Sequence, residues 1–226
     1  MKLTNEDRTR VATAIARAEE ATSGEIFCVV AKNTSSYADV SLAWAAGAAL
    51  LLPLLLLPLG VDMDWPGQGG WQAAHEAARN ATVVEAVGTY ALIQGAVFVA
   101  VFFLTRIPAV LRWATPRNLR RKRVRKAALQ QFFAHGVHVT RERTGVLLFA
   151  ALDEHQVELV ADEGIHSLVD EAIWSDAVAA LTRGLRDDRP VEGFEAAIGL
   201  CGQVLARHFP PRPDNPNELP AHLILL

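Results

Sequence analysis

Two long runs without a charged residue lie in the middle of this 226-residue chain. The first extends from Val40 to Val61 and the second from Ala86 to Leu104. Because a helix rises about 1.5 Å per residue, about 20 apolar residues cross the ~30 Å hydrocarbon core of a bilayer. The runs therefore predict two transmembrane helices, over residues 40–61 and 86–105. A buried core helix is the alternative for the first run, but its length and uniform apolarity favour the membrane.

The charges that flank the two runs predict their orientation. The connecting loop, residues 62–85, holds four acidic residues and one arginine, whereas residues 106–126 hold nine Lys or Arg and no acid. Lysine and arginine next to a span stay on the cytoplasmic side. We therefore expect a multi-pass protein of the cytoplasmic (inner) membrane, with both termini cytoplasmic and the acidic loop external.

The basic segment after the second run suggests a contact with anionic lipids. Cationic side chains next to a membrane attract lipid headgroups. The segment has no interleaved aromatic residues and no recognisable nucleic-acid-binding module, and the net charge of the chain is −3, so no nucleic acid is expected. The predicted lipid-contacting residues are Arg117, Arg120, Arg121, Lys122, Arg123, Arg125 and Lys126.

The remainder of the sequence alternates helical and strand-like patterns. Before the apolar runs, residues 6–21 have helical spacing and Glu25–Ala31 is a continuous apolar strand. After them, the patterns predict a helix over 118–135, a hairpin of strands over 145–152 and 157–161, and helices over 166–185 and 191–208. Because one strand cannot form a sheet, the strand at 25–31 has to pair with a strand beyond the apolar runs.

The predicted fold class is thus α/β, with a small mixed sheet interrupted by a two-helix transmembrane hairpin. The domain organisation follows from the segments above. It comprises the N-terminal part of a cytoplasmic α/β domain (1–39), two transmembrane helices (40–61 and 86–105) joined by a short external loop (62–85), a basic juxtamembrane segment with the main part of the α/β domain (106–208), and a proline-rich tail (209–226).

Several short motifs resemble the TPM domain family, in its bacterial membrane-protein branch. They are Ser23-Gly-Glu-Ile-Phe-Cys-Val-Val, Thr144-Gly-Val-Leu-Leu, a strand ending in Asp162-Glu-Gly-Ile, and Leu168-Val-Asp170. The resemblance covers residues 5–36 and 118–208 and implies a compact α/β sandwich. It also implies two activities found in some members: acid phosphatase activity, and divalent-cation binding near a glycine-containing turn. The inserted hairpin and a turn with fewer glycines depart from many relatives.

The strand order predicts the position of a candidate metal-binding or catalytic site. If strands 25–31 and 145–152 are parallel and the hairpin is antiparallel, one rim of the sheet gathers Glu25, Arg143, Thr144, Asp162 and Glu163, with Asp170 nearby. Carboxylate oxygens are ligands for Ca²⁺ or Mg²⁺, so Asp162, Glu163 and Asp170 are the predicted metal ligands. The alternative is that Asp162 and Glu163 are turn and helix-start residues that complement the helix dipole.

No catalytic motif stands out in the sequence, since it has no G-x-S-x-G, P-loop or dinucleotide-binding fingerprint. This favours an interaction or assembly module that binds a membrane-protein client. The resemblance supports an alternative, a membrane-bound, divalent-metal-dependent phosphatase, so whether the chain is an enzyme stays open. Cys28 and Cys201 lie in apolar stretches without C-x-x-C spacing, and we expect two buried, reduced thiols.

Overall fold

The computed structural model describes residues 3–56, 83–166, 168–212, 214 and 217–226. The chain divides into two compact units. Residues 1–35 and 117–226 make up the first, called the α/β unit, and residues 36–116 make up the second, called the helical unit.

The α/β unit contains a four-stranded sheet, in the order β3-β2-β1-β4. Its strands are β1 (Glu25–Ala31), β2 (Gly145–Ala151), β3 (Gln156–Ala161) and β4 (Leu223–Leu225). β1 is parallel to both β2 and β4, and β2 is antiparallel to β3. The predicted pairing across the apolar runs, and the predicted hairpin, are therefore confirmed.

Eight α-helices are present among the described residues. They are α1 (Asn5–Glu19), α2 (Ala38–Leu56), α3 (Val83–Thr105), α4 (Pro108–Ala114), α5 (Arg117–Ala134), α6 (Glu163–His166), α7 (Ser175–Arg186) and α8 (Pro190–His208). α1 begins at a capping box, in which Asp7 N donates to Thr4 Oγ1 at 3.2 Å and Thr4 N donates to the Asp7 carboxylate at 2.8 Å.

Helices cover both faces of the sheet, which is why all seven residues of β1 and of β2 are buried. On one face, α1, α7 and α8 contribute to a core that includes Ile15, Leu181 and Phe194. On the other face, α5 contributes Val124 and Phe132 to a second core. Cys28 and Cys201 are buried and free, as predicted, and burial raises the pKa of both thiols.

The helical unit contains α2, α3 and α4, and α2 packs against α3. Trp44 Nε1 donates to the carbonyl oxygen of Ala114 at 2.9 Å. Counting only residues whose side chains are described, no single helix is long and apolar enough to cross a membrane. Ala91–Thr105 and Pro108–Ala114 reach that length and composition together, across a bend of 100°.

The structure covers the apolar runs in part. Residues 40–56 of the first predicted span lie in α2, and the second predicted span lies in α3. The last residues of the first span, 57–61, lie outside the described residues, as do residues 62–82 of the predicted external loop.

One sequence-based expectation needs correction. The single helix predicted over 166–185 is wrong, because the chain forms α6, a 3₁₀ turn at Glu171–Trp174, and then α7. The Asp170 side chain accepts from Ala172 N at 2.9 Å and so begins a new turn where a continuous helix was expected. The proline-rich tail also ends in a strand, β4, which pairs with β1.

We predict that Gly145→Ala lowers the free energy of unfolding by about 2 kcal/mol, a typical cost of overpacking. An added Cβ would lie 2.3 Å from the carbonyl oxygen of Val137, a backbone atom that cannot move aside. Chemical denaturation followed by circular dichroism measures the change.

Gly199→Ala is the matched control, because its Cβ would meet no atom within 4 Å. It should raise the free energy of unfolding by about 0.5 kcal/mol, the helix preference for alanine over glycine. Equal effects of the two substitutions would contradict the close contact at Gly145.

Candidate functional site

One end of the sheet brings together residues that are far apart in the sequence. Glu25 lies opposite Gly145 in the parallel pair, and Val146 lies opposite Ala161 in the hairpin. Glu25 N donates to the Thr144 carbonyl at 3.2 Å, and Asp162 N donates to the Gly145 carbonyl at 2.9 Å. The strand-end rim, defined as Glu25, Arg143, Thr144, Asp162 and Glu163, is therefore one continuous edge.

Glu25 binds the C-terminal tail. Its side chain is only 4% exposed, and its two carboxylate oxygens accept from Glu218 N at 3.3 Å and from Leu219 N at 3.2 Å. Burial raises the pKa of Glu25, although the two backbone donors favour the charged form and lower it. This carboxylate thus fixes the chain just before β4.

A second acidic residue, Glu19, lies beside this contact. Glu19 Oε1 accepts from Ile26 N at 3.0 Å. Burial raises the pKa of Glu19 to about 7, the Ile26 donor opposes that rise, and the charge of Glu25 adds to it. Sequence analysis does not single out Glu19, because a glutamate at the end of an amphipathic helix has the pattern of a solvent-exposed residue.

The Thr144-Gly145 motif is explained by packing. Thr144 is buried, its N–H donates to Thr140 Oγ1 at 3.1 Å, and its hydroxyl donates to the Ser23 carbonyl at 3.3 Å. Gly145 follows because Val137 leaves no room for a side chain. The motif therefore ties the start of β2 to the segment before β1.

The Asp162-Glu-Gly turn is equally close-packed. Asp162 is 6% exposed, and its Oδ1 accepts from Glu163 N at 2.7 Å. Arg143 has a left-handed backbone (φ 54°), and its Nη1 contacts Glu163 Oε2 at 2.5 Å on the surface. A Cβ on Gly164 would lie 2.5 Å from the Glu142 carbonyl oxygen, so this position requires glycine.

The three predicted metal ligands have separate local contacts. Asp162 Oδ2 is buried without a hydrogen-bond partner among the described residues and has the chemistry of a cation ligand. Glu163 contacts Arg143, and Asp170 caps the 3₁₀ turn. Within the described ranges, no group of three or more His, Cys, Asp or Glu side chains is placed to hold a metal ion. Binding of Ca²⁺ or Mg²⁺ at these residues stays a prediction.

Comparison with known proteins identifies the motifs of this rim. Residues 110–204 match the family model described as the TPM domain. These residues are thus similar in sequence to the TPM domain. The resemblance inferred from Thr144-Gly-Val-Leu-Leu and Asp162-Glu-Gly-Ile is thereby confirmed, whereas the bacterial membrane-protein branch stays a prediction.

One solved structure has a fold similar to that of this chain. The BA42 protein of the psychrophilic bacterium Bizionia argentinensis, determined by NMR, is similar with a TM-score of 0.58. The two sequences are 17% identical, and the similarity covers 100% of this chain and 97% of BA42. No curated protein matches the chain in sequence.

All seven cations predicted to contact lipid lie on α5 of the TPM domain. Arg123 Nη1 donates to Ser35 Oγ at 2.8 Å, and Arg125 pairs with Glu158 at 3.4 Å. Arg120 is half-buried. The exposed members, apart from Arg125, are Arg117, Arg121, Lys122 and Lys126. Their contact with lipid headgroups stays a prediction.

We predict that the Glu19 carboxyl makes the α/β unit less stable as the pH rises. Because its pKa is about 7 in the folded protein, against an ordinary value of 4.5, the folded protein binds more protons between these values. The stabilisation that Glu19 provides is complete below pH 4.5 and is lost as the pH rises through about 7. The free energy of unfolding should change by about 2 kcal/mol, since the group is partly exposed.

Glu19→Gln tests this, since the amide oxygen still accepts from Ile26 N but no longer titrates. The free energy of unfolding, measured from about pH 5 to about pH 8, should fall less in this variant than in the wild type. Glu20→Gln, at the exposed neighbouring position, should retain the wild-type slope. Identical slopes for all three proteins would contradict the role of Glu19.

The predicted cation site can be tested by calorimetric titration of the full chain with CaCl₂ or MgCl₂. The expected binding heat should disappear in an Asp162→Asn, Asp170→Asn double variant, since asparagine keeps the caps but loses the charge. An Asp153→Asn, Asp176→Asn variant makes the same charge change at exposed positions and should retain the heat. No heat with the wild type, or equal loss in both variants, would refute the site.

Proposed function

We propose that this chain is a membrane-anchored TPM domain protein that acts as an interaction or assembly module at the cytoplasmic membrane. The proposal rests on the large apolar side chains that are exposed on the surface of the helical unit. Leu92 is 76% exposed, Phe103 65% and Leu50 60%. Water does not favour such a surface, whereas lipid tails do.

The dimensions of the two longer helices support insertion. α2 has 19 residues and α3 has 23. At about 1.5 Å per residue these helices are roughly 28 Å and 34 Å long, close to the ~30 Å hydrocarbon core. Each backbone hydrogen bond inside such a helix is satisfied within the segment, as an apolar solvent requires.

The third helix of this unit has the features of an interfacial segment. α4 turns away from Ala91–Thr105 by 100°, so it would lie along the membrane surface if α3 crosses the bilayer. Trp113 is 84% exposed, and tryptophan is enriched at the membrane–water interface. Arg112 lies in the last turn of the same short helix, and the basic residues of α5 come next in the sequence, which supports a cytoplasmic location for the TPM domain.

The roles of the rim residues favour an interaction module. Glu25 binds the tail, Asp162 and Asp170 cap turns, and Glu163 contacts Arg143. Each of these contacts stabilises the domain itself. We therefore assign binding of a membrane-protein client to the surface of the domain. Phosphatase activity is implied by the family resemblance alone and stays a prediction.

The anchor can be tested with a Leu51→Lys, Leu92→Lys variant. Lysine near the centre of a membrane helix costs about 3 kcal/mol, so the variant should leave the carbonate-resistant membrane fraction. The wild type should stay in that fraction.

A Val139→Lys, Leu168→Lys variant is the matched control, because these exposed apolar residues belong to the α/β unit. It should stay with the membrane. Extraction of the wild type by carbonate, or equal extraction of both variants, would refute the anchor.

A further inference from the structure

A groove of about 440 Å³ lies along β3 in the TPM domain. β3 itself lines the groove from Gln156 to Ala161. α5 contributes Arg121 and Arg125, and α7 contributes side chains that include Val178 and Arg186. The strand-end rim residues Glu25 and Thr144 do not line this β3 groove.

The backbone of β3 presents hydrogen-bonding groups toward the groove. Asp162 N donates to the Gly145 carbonyl, which fixes the alternation of the antiparallel ladder. Residues 156, 158 and 160 therefore direct their N–H and C=O groups toward β2, and Val157, Leu159 and Ala161 direct theirs outward. β3 is the last strand of the sheet, so no described strand pairs with those outward groups.

β3 lacks three of the devices that protect an edge strand. Such strands commonly carry proline, lysine or a bulge, which prevent pairing with another chain. The sequence of β3, QVELVA, has neither proline nor lysine, and its register with β2 is continuous over six residue pairs. Its one charged residue, Glu158, already pairs with Arg125 at 3.4 Å.

The walls of the β3 groove are basic. Arg121 and Arg125 are four residues apart on α5, and Val178, Thr182 and Arg186 have the same spacing on α7, so each set lies on one helix face. Three arginines therefore surround one glutamate, and His155 and His166 line the ends. An occupant with carboxylate side chains would match this charge.

The groove also offers apolar contacts for alternate side chains of an extended segment. Trp174 and Val178 line it beside Leu159 and Val157. An added strand directs every second side chain to the same face, so apolar residues of the occupant would reach these side chains while acidic ones reach the arginines.

We infer that the β3 groove binds an extended, acidic peptide segment of a partner protein, which adds a fifth strand to the sheet beside β3. This inference deepens the proposed function as an interaction module, on which it rests, by naming the partner class. The outward N–H and C=O groups provide affinity, and the arginines select acidic sequences.

The first test uses an eight-residue fluorescent peptide of alternating valine and glutamate, with the full chain in detergent. Fluorescence anisotropy should report binding, and hydrogen exchange should slow at Val157, Leu159 and Ala161. Two forms of the peptide, N-methylated at alternate residues in opposite phases, should differ by at least about tenfold in affinity, because only one phase blocks the donors that face β3. Equal affinities would overturn strand addition.

The second test changes the protein. Arg121→Glu with Arg186→Glu reverses two charges in the groove and should weaken binding by at least about tenfold. Lys122→Glu with Arg183→Glu reverses two charges on the same helices outside the groove and should weaken binding less than about threefold. Equal weakening, or no binding of the wild type, would overturn the inference.

Carbonate extraction of the same charge variants tests the membrane anchor independently of the peptide site. Both variants should stay in the membrane fraction, since their changes lie in the α/β unit. If the Arg121→Glu, Arg186→Glu variant stays in the membrane fraction and binds the peptide as well as the wild type, the peptide site alone is refuted. Peptide binding by a protein that carbonate releases would refute the anchor alone.

Discussion

The parallel pairing of β1 with β2 is the interaction on which the rest of the structure depends. β1 comes before the apolar segment and β2 after it, yet their seven residues pair from Glu25–Gly145 to Ala31–Ala151. β1 is also the partner of β4, so it connects the C-terminal tail to the sheet. A parallel pair needs a crossover connection, and here the crossover contains the entire helical unit. The helical unit is therefore inserted into this domain without separating the two segments that build its sheet.

The short motifs of the α/β unit lie at the ends of these strands. Gly145 and Gly164 are required where Val137 and Glu142 approach within 2.3 Å and 2.5 Å of a Cβ position. The half-buried carboxylate of Glu19 binds the start of β1, and the buried carboxylate of Glu25 binds the tail. Such groups cost desolvation energy, which the backbone donors offset in part. The motifs thus reflect how the strands are joined, and the edge of β3 is not paired with any described strand.

The sequence was sufficient to predict the strands that carry continuous apolar patterns and the pairing that a lone strand requires. It was insufficient wherever one distant contact decides the structure. β4 has only three residues, and its place is set by Cys28 to Val30, almost 200 positions earlier. Glu19 has a surface pattern but becomes half-buried beside Ile26. The apolar spacing over 166–185 is compatible with one helix, and only the Asp170 cap divides it. The β3 groove combines α5, β3 and α7, and no local pattern could have indicated it.

Residues before and after the helical unit form one compact domain, and the helical unit is its proposed anchor. A chain in which a flexible linker of about 15 glycine and serine residues replaces residues 36–116 tests this most directly, by native-state hydrogen exchange after purification without detergent. We expect a water-soluble protein in which the amides of Phe27–Val30 exchange only by global unfolding, because this part of β1 lies between β2 and β4. Rapid exchange of these amides, or a chain that stays in the membrane fraction, would contradict it.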